Sequence, residues 1–274
     1  MSNTQKKGGQ TLGDALQSAF TLTAILLAFV ISIIVYKYVM GNPVNFEGGN
    51  PAGHPLPGNY LAMVYKGGFI VPLLMMVLLV LIIFSCERAI TLRKAKGKGR
   101  INVFVKDLQT NLTNDKIEDA IVSCDKQKGS LANVMKAGLL RYRILQHDPK
   151  LEKDQKILAL QKEFEEATAL ELPMLSRNLV ILSTIASISV LIGLLGTVLG
   201  MIRAFGALAQ AGAPDALALA TGISEALINT AFGISGSLLA IVLYNYFSTQ
   251  IDSFTYKIDE AGFSLVQSFA ATTK

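Results

Sequence analysis

Four long apolar stretches constrain this chain more than anything else in it. They fall near residues 16–40, 68–87, 175–204 and 222–247. Each matches the roughly 20 residues that a helix needs to cross about 30 Å of hydrocarbon. The fold class that follows is an all-α integral membrane protein with four transmembrane helices and a helical cytoplasmic domain. Composition agrees, since 51% of residues are hydrophobic and only 16% charged, against about 25% charged in an average soluble domain. The first stretch runs on too far, without a small-residue cleavage site, to be a signal peptide.

Between the spans the charge is uneven. Residues 88–177 hold 18 of the 25 Lys and Arg, while 41–66 holds only Lys66 and 203–221 only Arg203. Basic residues flanking a span stay cytoplasmic. The expected order is a cytoplasmic tail over 1–15, a span over 16–40, a Pro/Gly-rich periplasmic loop over 41–67 and a lipid-facing span over 68–87. A cytoplasmic helical domain then covers 88–174, followed by spans 175–204 and 222–247 around a short periplasmic loop, 205–221. A helix over 248–274 returns to the cytoplasm, so both termini lie inside. The net charge of +5 therefore reflects membrane topology and points to no nucleic acid. Glu87 and Arg88 mark the membrane boundary of an aliphatic span that has no polar residue before Ser85.

The cytoplasmic region carries helical 3–4 spacing at Leu131, Val134, Met135, Gly138 and Leu139, and again at Ile157, Leu160, Phe164 and Ala167, in a stretch that runs to Pro173 just before the third span. Thr113 followed by Glu118 and Asp119 reads as a helix start. No phosphate-binding glycine motif, metal cluster or nucleophile–base pair occurs, so neither an enzyme nor an ATP-driven machine is expected. His54 stands alone in the Pro-rich loop with no second ligand at plausible spacing. Cys86 and Cys124 are too few and too scattered for a disulfide framework.

The third and fourth spans differ from the other two. Ser189, Gly193, Gly196 and Gly200 form one helical stripe, and Gly222, Gly233 and Gly236 lie on one face of the last span with Ser237 beside it. Small residues let helix backbones approach closely in lipid, and subunit-to-subunit packing is the expected use of the Ser189–Gly200 stripe. Thr197 either bonds back to the Gly193 carbonyl or borders a hydrated path. Glu225, Asn229 and Thr230 either fix inter-helix hydrogen bonds or line a pore. A charge at mid-membrane costs about 2.5–3.5 kcal/mol on insertion scales, so such residues usually face protein or water. Threonine cannot carry protons by titrating, and Glu225 is the only carboxylate in these two spans. Either Glu225 takes and releases protons or a second protein supplies the group.

Three segments carry a resemblance: Leu194-Leu-Gly-Thr-Val-Leu-Gly-Met-Ile followed by Phe205, Ser224-Glu-Ala-Leu-Ile-Asn-Thr-Ala-Phe-Gly with Tyr244-Asn245 downstream, and Glu87-Arg88 closing an aliphatic span. Over roughly residues 68–255 the chain resembles the MotA/TolQ/ExbB proton channel family, most strongly its ExbB/TolQ branch. The resemblance implies a homopentamer in the bacterial inner membrane, with the two polar spans of each subunit lining a central pore. That pore would hold a single-span partner of ExbD or TolR type bearing the protonatable aspartate, faced by Thr197 and Thr230, with Glu225 as the pore glutamate. Protons would be the coupling ion and no cofactor is implied. The motion would pass to a TonB- or TolA-like transducer, for outer-membrane import if the subunit is ExbB-like or for envelope maintenance if TolQ-like. A non-conducting structural scaffold remains the alternative of a different class. Val190 and Leu239 stand where the family usually has proline, which implies straighter spans, and the 16–40 span and its loop are additional to the usual three-span plan.

Overall fold

A computed structural model describes residues 12–114, 116–146, 151–209 and 216–272. The expected turn at Pro214-Asp215 lies outside the described residues. Among those described there is no strand, only an isolated bridge between Phe46 and Pro55. Among the described residues four helical segments are long and apolar enough to cross a membrane, and the chain is a multi-pass, all-α membrane protein. It divides into two compact units, one comprising the residues up to Phe84 with Ile181–Val242, the other Ser85–Val180 with the residues from Leu243.

In the first unit, helix α1 (Leu12–Ile34) runs into a π-helical turn, Val35–Met40. The following loop is more ordered than its prolines and glycines suggest. It makes two short 3-10 turns, Pro43–Asn45 and Glu47–Gly49, and a six-residue helix, α2 (Tyr60–Tyr65). Asn59 starts α2 by accepting from the Ala62 N–H at 3.1 Å, as a short polar side chain at a helix start does. Aromatic rings tie the loop to the π-helical turn: Tyr36 stacks on Tyr65 with centroids 4.7 Å apart, and Phe46 meets Tyr65 edge-on at 5.5 Å.

Helix α3 (Ile70–Lys96) tolerates Pro72 because the first turn of a helix lacks partners for its N–H groups. The aliphatic span is not lipid-facing all round. Ile70, Val71, Leu74, Val77, Leu81 and Phe84 are buried, while Phe69 and Ile82 are exposed. Most of helix α8 (Leu179–Ala209) and the first part of α9 (Ala216–Thr272) complete this unit. At 1.5 Å per residue the 57 residues of α9 run about 85 Å, so only part of it can lie in a bilayer.

The second unit is a helical domain in which α4 (Ile101–Thr113), α5 (Ile117–Gln127), α6 (Gly129–Gln146) and α7 (Lys153–Ser176) pack in succession. Apolar stripes build its core: Phe104, Leu108 and Leu112 on α4, Leu131, Val134, Met135 and Leu139 on α6, Leu160 and Phe164 on α7. The far part of α9 adds Phe254, Ile258, Leu265 and Phe269, with Tyr142 edge-on to Phe269 at 4.6 Å.

Two helix boundaries differ from expectation. Thr113 ends α4 instead of starting α5, because its hydroxyl donates to the Gln109 carbonyl at 2.9 Å. The acidic Glu118 and Asp119 do occupy the first turn of α5. Pro173 does not stop α7, which runs on to Ser176. Near that end Arg88 supplies donors: its guanidinium reaches the carbonyls of Leu175 at 2.9 Å and Met174 at 3.4 Å.

Candidate functional site

The site is built where α8 and α9 run side by side in the first unit. A methyl group added at Gly193 would lie 2.9 Å from the Asn229 carbonyl oxygen and 3.0 Å from Gly233 Cα. At Gly200 it would lie 2.9 Å from the Ala226 nitrogen, and at Gly233, 2.8 Å from Gly193 Cα. Backbone therefore faces backbone, which only glycine permits. Ser189 donates to the Gly233 carbonyl at 2.9 Å, and Ser237 donates to the Ala186 carbonyl at 2.6 Å. Gly236 lies against Ser189. The Ser189–Gly200 stripe thus packs within one chain, correcting the expectation that it joins subunits; its partner is the glycine face of α9.

Thr197 and Thr230 meet across this seam, hydroxyl to hydroxyl. Thr230 also lies 3.0 Å from the Ala226 carbonyl, and Thr197 lies 3.2 Å from that of Gly193. Each hydroxyl has one proton to give and two lone pairs, so the pair forms a short chain in which one threonine donates to the other. Thr197 thus approaches the carbonyl of its own helix and a polar partner on α9 at once. Both residues are half-buried.

Glu225 and Asn229 turn elsewhere. Glu225 is 5% exposed and paired with the Arg203 guanidinium, which also lies 5.5 Å from the Phe69 ring. Asn229 is fully buried over Gly196, and its amide donates to the Gly67 carbonyl at 2.9 Å, while its Oδ1 has no hydrogen-bond partner. The Gly67-Gly68 turn before α3 receives both. Gly68 has φ of +74°, and a side chain there would collide with the Glu225 carboxylate.

Arg203, Gly67 and Gly68 were missed as site residues by reading the sequence. The available signal was Arg203 itself, a lone charge in the last turns of one apolar helix, opposite a lone carboxylate in the first turns of the next. Beside them lies a cavity of about 690 Å³, lined by the Ala52–Gly58 segment, Met63, Lys66, Arg203, Thr221 and Glu225 among others. Lys66 donates to the carbonyls of Pro51 at 3.0 Å and Ala52 at 2.9 Å, and burial pushes its ammonium below its ordinary pKa. His54 also lines the cavity, and no metal-binding cluster occurs among the described residues.

Glu87 and Arg88 pair in the second unit. The Arg88 side chain is 2% exposed and bonds Glu87 at 2.6 and 2.7 Å, while Glu87 accepts from Thr91 at 2.9 Å and Asn178 at 3.0 Å. With each guanidinium nitrogen bonded to at least one oxygen, this arginine can be buried.

Residues 126–260 match the model of the MotA/TolQ/ExbB proton channel family. The chain is 25% identical to a Tol-Pal system protein TolQ of Pseudomonas aeruginosa over 193 residues, 69% of this chain and 83% of that protein. It is 42% identical over 73 residues to a biopolymer transport protein ExbB of Salmonella typhimurium, covering 27% of this chain and 30% of that one. A TolQ of Haemophilus influenzae matches at 40% over 83 residues, 30% of this chain and 36% of its own length. The chain thus spans most of one TolQ but about a third of the other two relatives. With a paired-hydroxyl seam between small-residue spans inside the matched segment, the chain belongs to the MotA/TolQ/ExbB proton channel family, in its ExbB/TolQ branch.

Proposed function

We propose that this chain is an ExbB-like, non-enzymatic subunit of a proton-motive-force-driven motor in the bacterial inner membrane. Five copies surround a single-span ExbD/TolR-type partner, and proton flow through the complex drives a TonB-like transducer for outer-membrane import. Both termini lie in the cytoplasm. The observation that carries this reading is the Thr197–Thr230 hydroxyl pair within the segment matched by the family. A neutral hydroxyl pair orders water or a partner carboxyl without holding charge, which suits a subunit whose partner supplies the titrating group. Thr197, Thr230, Glu225 and Asn229 are assigned to the proton pathway, and the glycines to the seam that sets their spacing.

The test is proton flux into vesicles containing this chain and its native single-span partner. Thr230→Val and Glu225→Ala should each abolish flux while the assembled complex is retained. Wild-type flux in both variants would sink the assigned roles. No flux from the unaltered complex, with cellular function surviving both substitutions, would favour a structural scaffold instead.

A TolQ-type role in envelope maintenance is the second reading, supported by the length of the Pseudomonas aeruginosa TolQ match, which covers 83% of that protein. Co-purification separates the two. A TonB-like transducer in the native complex supports the import role, and a TolA-like one supports the envelope role.

A further inference from the structure

The 690 Å³ cavity has a feature that its surroundings explain only in part. One wall is the Ala52–Gly58 segment, drawn in by Lys66 through the Pro51 and Ala52 carbonyls. This segment belongs to the loop after the additional first span, which stacking of Tyr36 on Tyr65 fastens to the π-helical end of that span. The rest of the lining comes from the start of α9, including Glu225, and from Arg203. The Glu225 side chain is 7% exposed, whereas that of its ion-pair partner Arg203 is 48% exposed. Gly68, lacking a side chain, leaves room for the carboxylate at its other side.

We propose that this cavity is an aqueous port to Glu225 and that Arg203 is its stopper, a positioning residue that holds the carboxylate closed off until it swings aside. The proposal rests on the reading above that Glu225 lies on a proton pathway. The accessory loop then has a use: it walls the port. With Arg203 turned away, a hydronium ion in the port gives its proton to a Glu225 carboxylate oxygen and leaves a water molecule. With Arg203 in place, the carboxylate keeps its ion pair.

The full chain in membrane vesicles tests this without any need for flux. A carbodiimide adds to a carboxyl group by taking up its proton and bonding its oxygen, so modification of the Glu225 peptide, read by mass spectrometry, reports both access and protonation. A water-soluble carbodiimide should modify wild-type Glu225 slowly. Arg203→Gln should speed this by about tenfold, equivalent to about 1.4 kcal/mol, and Arg203→Lys should restore the slow rate. A purely structural loss at Arg203 would speed both variants alike. An unchanged rate in Arg203→Gln, or modification only by a lipid-soluble carbodiimide, overturns the proposal.

A second measurement avoids altering the ion pair. In a Cys86→Ser, Cys124→Ser chain, Ser224→Cys lines the port and should react with a membrane-impermeant thiol reagent, whereas Leu227→Cys, outside its lining, should not. A silent Ser224→Cys also overturns the port. If modification follows the expected pattern while Glu225→Gln leaves proton flux intact, the port stands and the assignment of Glu225 to the pathway fails.

Discussion

The two units bury helices against one another by different means. In the first, Gly193 of α8 meets the backbone of Asn229 and Gly233. In the second, Gly138 of α6 makes room for the Phe164 ring. Both are glycines on a packed helix face, yet one admits another helix backbone and the other a side chain. The solvent accounts for the difference. In lipid, apolar side chains gain nothing by leaving the hydrocarbon, so association depends on close approach and hydrogen bonding. In water, burying a large ring is itself the driving force. The first unit therefore hides Ser189, Asn229 and Ser237 in its seam, and the second hides Phe104, Phe164, Phe254 and Phe269.

The comparison can be broken at several places, beginning with the largest effect. Phe164→Ala should destabilise the helical domain by about 3–5 kcal/mol through the cavity it leaves, measured by denaturant titration of helicity in detergent. Adding Gly138→Ala to that variant should cost little more or recover part of the loss, because the new methyl enters the vacated space. Gly193→Ala should cost about 1–3 kcal/mol by overpacking and should not be rescued by truncating any neighbouring side chain, since its neighbours are backbone atoms. Rescue by such a truncation would show that the seam is a side-chain contact after all.

Ser189→Ala should cost about 1 kcal/mol, the worth of one buried hydrogen bond, read from the thermal unfolding midpoint. The smallest effect concerns Cys124, whose thiol burial pushes up from 9.0 to about 12, with Asp125 adding to the shift. A raised folded pKa means that the folded state holds its proton where the unfolded state has lost it. Its contribution to stability is thus complete below about pH 9 and lost as pH rises toward 12. Alkylation of Cys124 at pH 8 should be slow in the folded chain and rapid after denaturation; equal rates would contradict its burial.

Much of the plan was legible in the residues. The apolar runs, the stripes of α6 and the acidic first turn of α5 follow from helical periodicity, a property of local sequence. The hydroxyls and glycines of the last two spans stood out because lipid-facing helices have no use for them. The misreadings were of another kind. Thr113 carries a helix-start signal, but its hydroxyl was taken by the turn before it. Pro173 looks like a stop, yet α7 continues past it to Ser176, where Arg88 from α3 reaches the last carbonyls. Both outcomes depend on which acceptors lie within reach, and spacing along the chain does not say.

By itself the sequence determined that this is a four-span helical membrane protein, and its motifs already pointed to the proton channel family. It also determined that α8 and α9 must each present a face of small residues. Only the tertiary structure decided that these faces meet each other within one chain, that Thr197 finds Thr230, and that Glu225 finds Arg203 above the Gly67-Gly68 turn. The reason is physical. Periodicity specifies which residues share a face, because it is set by 3.6 residues per turn. Which face then meets which depends on close contacts between residues far apart in the chain.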